Sequence, residues 1–408
     1  MLFHQLKNIF SEKGKEEFVC LEIGESFFKS VSFSVLKGKI FFNSSRLKIF
    51  GGNEKNSGEK LELLKKNIEE SKIKKGAKTL ILGDKSSIYT VLACVSSPRT
   101  EFKEEISEGE LENLLSQAVW KFMETYKPEA AASLNLPDTE ILLANIRILG
   151  VKINGHKVLN PLGFRAKSVE FLIEETFIGR DLYHSIESSL LKKSEITFIS
   201  ELGKIEAESI LRENNFENSF SLIRIFPSAS FLLTSRGAKK NKFYGDISSP
   251  VISLSESFSW SKQKLLEKIA VELNLNLETA KDVFARFVEN NASRRFLSFI
   301  KTILDAEIFS FWQKIFKKTG TEKTILFSSD EILPKSFSVL RQKGKNVSEI
   351  NIINLAEKFG FSLDFGKKNT KSDNFFFSSL AAFFEYYFSN RDEVLNKLAK
   401  RRAKWLIP

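Results

Sequence analysis

The chain has 408 residues, 62 Lys and Arg against 51 Asp and Glu for a net charge of +11, and a hydrophobic fraction of 42%. At about 150 residues per folding unit this gives two or three domains, each long enough to bury a core, and it excludes a disordered protein. The two cysteines and three histidines fall at no ligand spacing, which excludes a disulfide framework and a four-ligand zinc site. No apolar run reaches the ~20 residues that cross a bilayer. The start lacks the basic, apolar and small-residue regions of a signal peptide, so a cytoplasmic location is expected. The positive charge favours anionic partners. However, Lys, Asn, Ile and 39 Phe read as AT-rich coding bias, and no surface motif interleaves Arg with aromatics, so no specific nucleic acid is expected.

In chain order, residues 1–14 form a faintly amphipathic segment, with Leu2, Phe3, Leu6, Ile9 and Phe10 on one helical face. The first α/β lobe spans 15–95. Apolar Phe18 to Ile23 is followed by strand-like alternation over Phe27–Val35 and Ile40–Asn43, with Lys37-Gly38 as the hairpin turn. A helical pattern from Glu59 to Ser71 and a buried strand from Thr79 to Leu82 complete it. An inserted subdomain spans 96–178. Ser107 and Glu110 make a capping box for a long amphipathic helix that Pro128 should stop, and Asn154-Gly155 is a hairpin signal between strands. The first lobe resumes over 179–219. The second α/β lobe covers 220–261 and 324–390 and is interrupted by a helical subdomain at 262–323. Its aromatic run Phe375 to Phe388 reads as core helix, because apolar residues occupy nearly every face. A basic amphipathic tail, 391–408, ends the chain.

Two α/β lobes, each opening with a strand–turn–strand, with a helix-plus-antiparallel-sheet insertion in the first, resemble the two-lobed actin-like ATPase fold, and more closely the FtsA family of bacterial cell-division proteins. Three stretches carry the resemblance: Leu21 to Lys29 at the place of the first phosphate loop; Asn160-Pro161-Leu162-Gly163-Phe164 near the end of the insertion; and Ile269 to Phe287 after the second phosphate loop. The resemblance implies nucleotide contacts at Glu22, Gly24, Glu25, Ser26 and Lys29, with ATP and magnesium as the cofactors if the site is retained. Glu22 stands where the family has Asp, one methylene longer. The second loop falls at Arg224 to Ser230. There Arg224 replaces the metal-orienting Asp, Phe226 and Pro227 replace glycines, and Ser228 follows; Pro227 has no N–H to give a phosphate. The adenosine-side Gly-Gly turn maps to Ser328-Ser329-Asp330, without glycine. Tyr244 to Ser249 is a weaker alternative for the second loop. The expectation is therefore a degenerate site with lost or weak ATPase activity and no required cofactor. No Ser-His-Asp, Cys-His or paired-carboxylate arrangement suggests another chemistry.

On a helical wheel of the tail, Leu395, Leu398, Trp405 and Leu406 share one side, Lys397 and Lys400 lie opposite, and Arg402 must snorkel from the apolar arc. This pattern suits an anionic membrane surface, as in the FtsA family. The competing interpretation is a last helix packed on the second lobe. The resemblance thus implies a cytoplasmic scaffold peripheral to the inner membrane face. It would link a tubulin-like (FtsZ-like) filament and other division proteins to the membrane and self-associate through its insertion. The alternatives are a PilM-like pilus assembly protein, which shares the general fold and binds a membrane partner, and an active actin-like ATPase.

Overall fold

The computed structural model describes residues 14–50, 57–190, 193–214, 219–227, 229–236, 251–338, 344–366, 372–389 and 393–403. The N-terminal amphipathic segment up to residue 13, the alternative loop Tyr244 to Ser249, and Trp405 and Leu406 lie outside them.

The first lobe opens with a meander of β1 (Glu16–Ile23), β2 (Phe27–Leu36) and β3 (Lys39–Ile49). The turn between β2 and β3 has positive φ at both Lys37 (49°) and Gly38 (73°), the twist that two-residue hairpins need. After α1 (Ser57–Glu70), β4 (Ala77–Gly83) lies parallel to β1. The insertion runs from β5 (Ile88–Pro98) through α2 (Glu108–Leu134), β6 (Ile141–Ile153) and β7 (His156–Val158) to β8 (Ser168–Gly179). It is a four-stranded antiparallel sheet in the order β5-β8-β6-β7, so it begins eight residues earlier in the chain than the composition shift at 96. Asn154 and Gly155 form its tight turn with φ of 50° and 82°. Ser107 caps α2 by accepting the Glu110 N–H, but the capping box is not closed, because the Glu110 carboxylate takes the Arg99 guanidinium at 2.7 Å.

Pro128 does not stop α2. The helix continues to Leu134 and ends at Asn135 in the left-handed region. Pro128 sits on the exposed face, where the carbonyl it leaves unbonded reaches water, while Ala130, Ala131 and Leu134 bury the last turn.

The first lobe resumes with α3 (Arg180–Leu190), β9 (Ser194–Glu201) and α4 (Leu202–Asn214). The second lobe repeats the plan with β10 (Phe220–Ile225), β11 (Ser230–Arg236) and β12 (Val251–Phe258), then α5 (Lys262–Leu273), α6 (Leu277–Val288) and α7 (Arg294–Thr319), then β13 (Thr324–Ser329) and β14 (Asn346–Glu349). The sheets read β15-β3-β2-β1-β4-β9 and β12-β11-β10-β13-β14. In each, three antiparallel strands are followed by a strand parallel to the first of them and another parallel to that. The duplicated topology is the two-lobed actin-like ATPase fold.

The stretch α8 (Ile352–Lys358), β15 (Ser362–Asp364) and α9 (Phe377–Ser389), which α10 (Glu393–Ala403) follows, does not stay in the second lobe as the boundary at 324–390 required. β15 pairs with β3 of the first lobe. The Phe-rich α9 packs its buried Phe377, Phe383 and Phe384 into a core shared with Phe18, Phe33, Ile205 and Leu222. A hydrophobic helix buried on all sides needs partners from both lobes.

Candidate functional site

β1 and β2 pair so that Glu22 lies opposite Lys29; the equivalent strand of the second lobe, β10, places Arg224 opposite Ser328 of β13. These positions face each other across the junction of the lobes, and α4 and α9 cross it with Glu206 and with Ser378 and Ser379. The Lys29 Nζ lies 2.7 Å from Glu22 and 2.8 Å from Asp330, and donates to the Phe375 carbonyl at 2.9 Å. Arg224 reaches Glu206 at 2.9 Å and Asp330 at 2.8 Å, and donates to the Ser328 hydroxyl at 2.6 Å and the Ser378 hydroxyl at 3.2 Å. Ser378 donates in turn to Glu206 at 2.7 Å, and Ser379 to Glu22 at 3.3 Å. All of these side chains are buried.

The cluster sets two cations, Lys29 and Arg224, against three carboxyls, Glu22, Glu206 and Asp330. Burial works against both cations, but the carboxylates outweigh it and hold Lys29 and Arg224 above their ordinary pKa values. Burial raises Glu22 above the ordinary carboxylate range, with Lys29 opposing, and lifts Glu206 to about 7. Among the described residues the Glu206 Oε2 has no hydrogen-bond partner, while its Oε1 faces Arg224 and Ser378. Lys29 and Asp330 belong to different lobes, as do Arg224 and Glu206. The lobes are therefore held together by the chain's own ions.

Of the predicted first-loop residues, Glu22 and Lys29 meet in this cluster. Gly24 N–H bonds the Phe27 carbonyl at 2.9 Å, and a Cβ there would lie 2.2 Å from the Phe27 ring. Its small size thus accommodates an aromatic ring of the chain itself. Phe27 stacks on Phe226 at 4.7 Å, and Phe231 meets Phe226 edge-on at 5.7 Å. The loop residue expected to replace a glycine therefore plugs the cleft. Glu25, whose N–H bonds Asp84 at 2.6 Å, and Ser26 stand outside the plug, lining a residual cleft of about 400 Å³ with Asp84, Lys85 and Ser86. Pro227 lines another cleft, about 590 Å³, with Lys262, Phe284 and Ile332; Ser228 lies outside the described residues. Sequence reasoning found Asp330 only as a lost turn and missed Glu206, Ser378 and Ser379. The available signal was a carboxylate between Ile205 and Ala207, and two hydroxyls in the Phe-rich run.

A second buried cluster fastens the insertion to the same two helices. Arg147 of β6 donates to Glu174 of β8 at 2.6 Å and reaches Glu208 of α4 at 3.2 Å and Glu385 of α9. Lys204 of α4 pairs with Glu174. Where insertion and lobe meet, a cavity of about 260 Å³ is lined by Ile23, Phe50, Leu61, Leu134, Leu136 and Leu182, with Lys60, Glu140, Arg180 and Asp181 among its polar groups.

Two of the predicted tail residues pack against protein. Leu395 and Leu398 are buried in the insertion core beside Ala399, Ile146 and Ile148. The Asn396 side chain accepts the Ile148 N–H at 2.8 Å and donates to the Ile148 carbonyl at 3.3 Å. The described apolar side chains of α10, Leu395, Leu398 and Ala399, are covered by protein, a docking site on the insertion that neither sequence-based interpretation of this helix specified. The Arg402 side chain, Trp405 and Leu406 lie outside the described residues.

No family model and no curated protein matches the chain. Among solved structures it is similar to a PilM-PilN type IV pilus biogenesis complex, with 15% identity, coverage of 95% of this chain and 98% of that one, and a TM-score of 0.48. It is also similar to the ethanolamine utilization protein EutJ of Carboxydothermus hydrogenoformans, at 9% identity, 94% and 98% coverage and TM-score 0.37. For the apo psk41 ParM protein the values are 10% identity, 95% and 99% coverage and TM-score 0.32. At these identities the likeness is one of fold alone.

Proposed function

We propose that this protein is a scaffold of the actin-like fold that neither binds magnesium-ATP between its lobes nor hydrolyses it. The observation that carries this reading is the Lys29–Asp330–Arg224–Glu206 cluster. A phosphate chain needs backbone N–H groups and unspent cations, and here both cations are already neutralised by carboxylates within 3 Å. An incoming triphosphate would have to displace three buried carboxyls.

Of the two scaffold roles, we favour pilus assembly over cell division. The division reading drew on the Asn160-Pro161-Leu162-Gly163 segment and on a free lipid-binding tail, and the burial of Leu395 and Leu398 counts against the second. A PilM-like protein reaches the membrane through a protein partner and needs no such tail. The cavity at the insertion–lobe junction, lined by apolar and charged side chains, suits a short segment of that partner.

Two measurements test this. Magnesium-ATP should leave the unfolding midpoint unchanged and release no phosphate; saturable binding with turnover would establish the active ATPase instead. Purified chain should capture a pilus membrane subunit of its own organism and not the tubulin-like division protein. The reverse result would restore the division role.

A further inference from the structure

Sheet edges are where one chain can add to another, and proteins guard them with charges, prolines, bulges or short strands. Among the described residues, most edges here are guarded. β15 and β7 have three residues each, and β14 has four and carries Glu349. β12 carries Glu256 and lies against a register shift, and β9 carries Glu195 beside another. β5 differs from all of them. It is an edge strand of 11 residues, Ile-Tyr-Thr-Val-Leu-Ala-Cys-Val-Ser-Ser-Pro, with no charged residue and proline only at its end. It pairs with β8 without a register shift from Ile88 to Pro98.

The direction of its free groups follows from one contact. Thr90 N–H points away from β8 and donates to Glu201 at 3.4 Å, while its hydroxyl meets that of the directly opposite Thr176 at 3.1 Å. In an antiparallel ladder outward-pointing residues alternate. Leu92, Cys94 and Ser96 therefore also turn their N–H and C=O groups outward. None of these groups has a backbone partner outside the ladder among the described residues.

We propose that the outer edge of β5 is a self-association surface, on which a second copy of this chain pairs β5 to β5 antiparallel about a two-fold axis at Cys94. Leu92 then faces Ser96 of the partner subunit and Cys94 faces its counterpart, so three residues from each copy exchange main-chain hydrogen bonds. The two four-stranded sheets become one of eight. An uncharged strand is what lets identical edges meet, since like charges directly opposite destabilise a pair; a two-fold contact is also self-limiting. One edge pair buries less than the ~1,200 Å² of a stable interface, so the dimer is weak and forms with rising concentration. This association does not depend on the partner proposed above.

The test is sedimentation of the full chain across a concentration series at physiological salt. The dimer fraction should rise with concentration and be lost in Ser96→Pro, which removes an outward N–H without touching the ladder to β8. It should be lost equally in Ser96→Lys, which places a charge at an exposed position. Matching circular dichroism and melting midpoints show that the variants fold. A short bismaleimide should link two copies through Cys94 and fail in Cys94→Ser, because Cys20 is buried. A chain that stays monomeric at every concentration overturns the proposal. So does a dimer that survives both Ser96 variants and is not linked through Cys94.

Discussion

Replacing Lys29 with Met separates a closed ion cluster from a nucleotide site. In the wild-type chain the Lys29 ammonium has two carboxylates within 2.8 Å and a carbonyl at 2.9 Å, and it is wholly buried. Met fills the aliphatic space but leaves Glu22 with only a serine hydroxyl and Asp330 with only Arg224. Removing one partner of a buried ion pair costs about 3–5 kcal/mol, chiefly because the other charge is left uncompensated. Adding Glu22→Gln to Lys29→Met should recover part of that loss, since the orphaned charge goes too. A lysine waiting in an open cleft for phosphate would behave otherwise. Its loss would shift apo stability by less than ~0.5 kcal/mol, and magnesium-ATP at a hundred times its Kd would stabilise the wild type by about 2.7 kcal/mol. Urea unfolding followed by circular dichroism, with and without magnesium-ATP, reads both. An unchanged midpoint for Lys29→Met, or a clear nucleotide-dependent shift in the wild type, would refute the reasoning.

The fold was legible where local chemistry determines structure. Lys37-Gly38 and Asn154-Gly155 mark their hairpins, and Ser107 marks the start of α2, because turns and caps depend on a few adjacent residues. The departures were decided at a distance. Pro128 lies in a helix held by core contacts on the opposite face, and β15 finds its partner more than 300 residues back, at Lys39 to Phe41. The amphipathic spacing of α10 is plain in the sequence, but a one-sided apolar stripe does not say whether protein or lipid covers it. At the site, each missing glycine could be read as lost phosphate chemistry. What replaced it could not be, because Glu22 and Lys29, Arg224 and Asp330, and Glu206 and Ser378 come from separate strands and helices that only the folded topology brings together.

Glu175 of β8 is buried and, among the described residues, has no hydrogen-bond partner for either carboxylate oxygen, and burial pushes its pKa from 4.5 to about 9. The native state therefore binds this proton more tightly than the unfolded chain, so its stabilising contribution is full below pH 4.5 and is lost as pH rises through 9. Glu175→Gln should remove that fall, which difference curves of urea midpoints from pH 5 to 9 would show; a parallel offset would exclude it. Leu398→Glu should lower stability by about 3 kcal/mol by burying a carboxylate in the insertion core; a fully stable variant with altered liposome binding would return α10 to the membrane. Arg147→Met tests whether the two buried clusters act as one unit. The change strips a guanidinium from Glu174, Glu208 and Glu385 and should cost about 3–5 kcal/mol. Its reach matters more than its size. Lys204, Glu206 and Glu208 are carried on α4, and Ser378 and Glu385 on α9, so a loosened insertion pulls on the helices that hold Arg224 and Asp330 in place. Hydrogen exchange should accelerate along both helices and in β1 and β10 as well as in β6 and β8. Acceleration confined to β6 and β8 would mean that the insertion is merely attached to the lobes, and that a partner bound at their junction could not be sensed in the cleft.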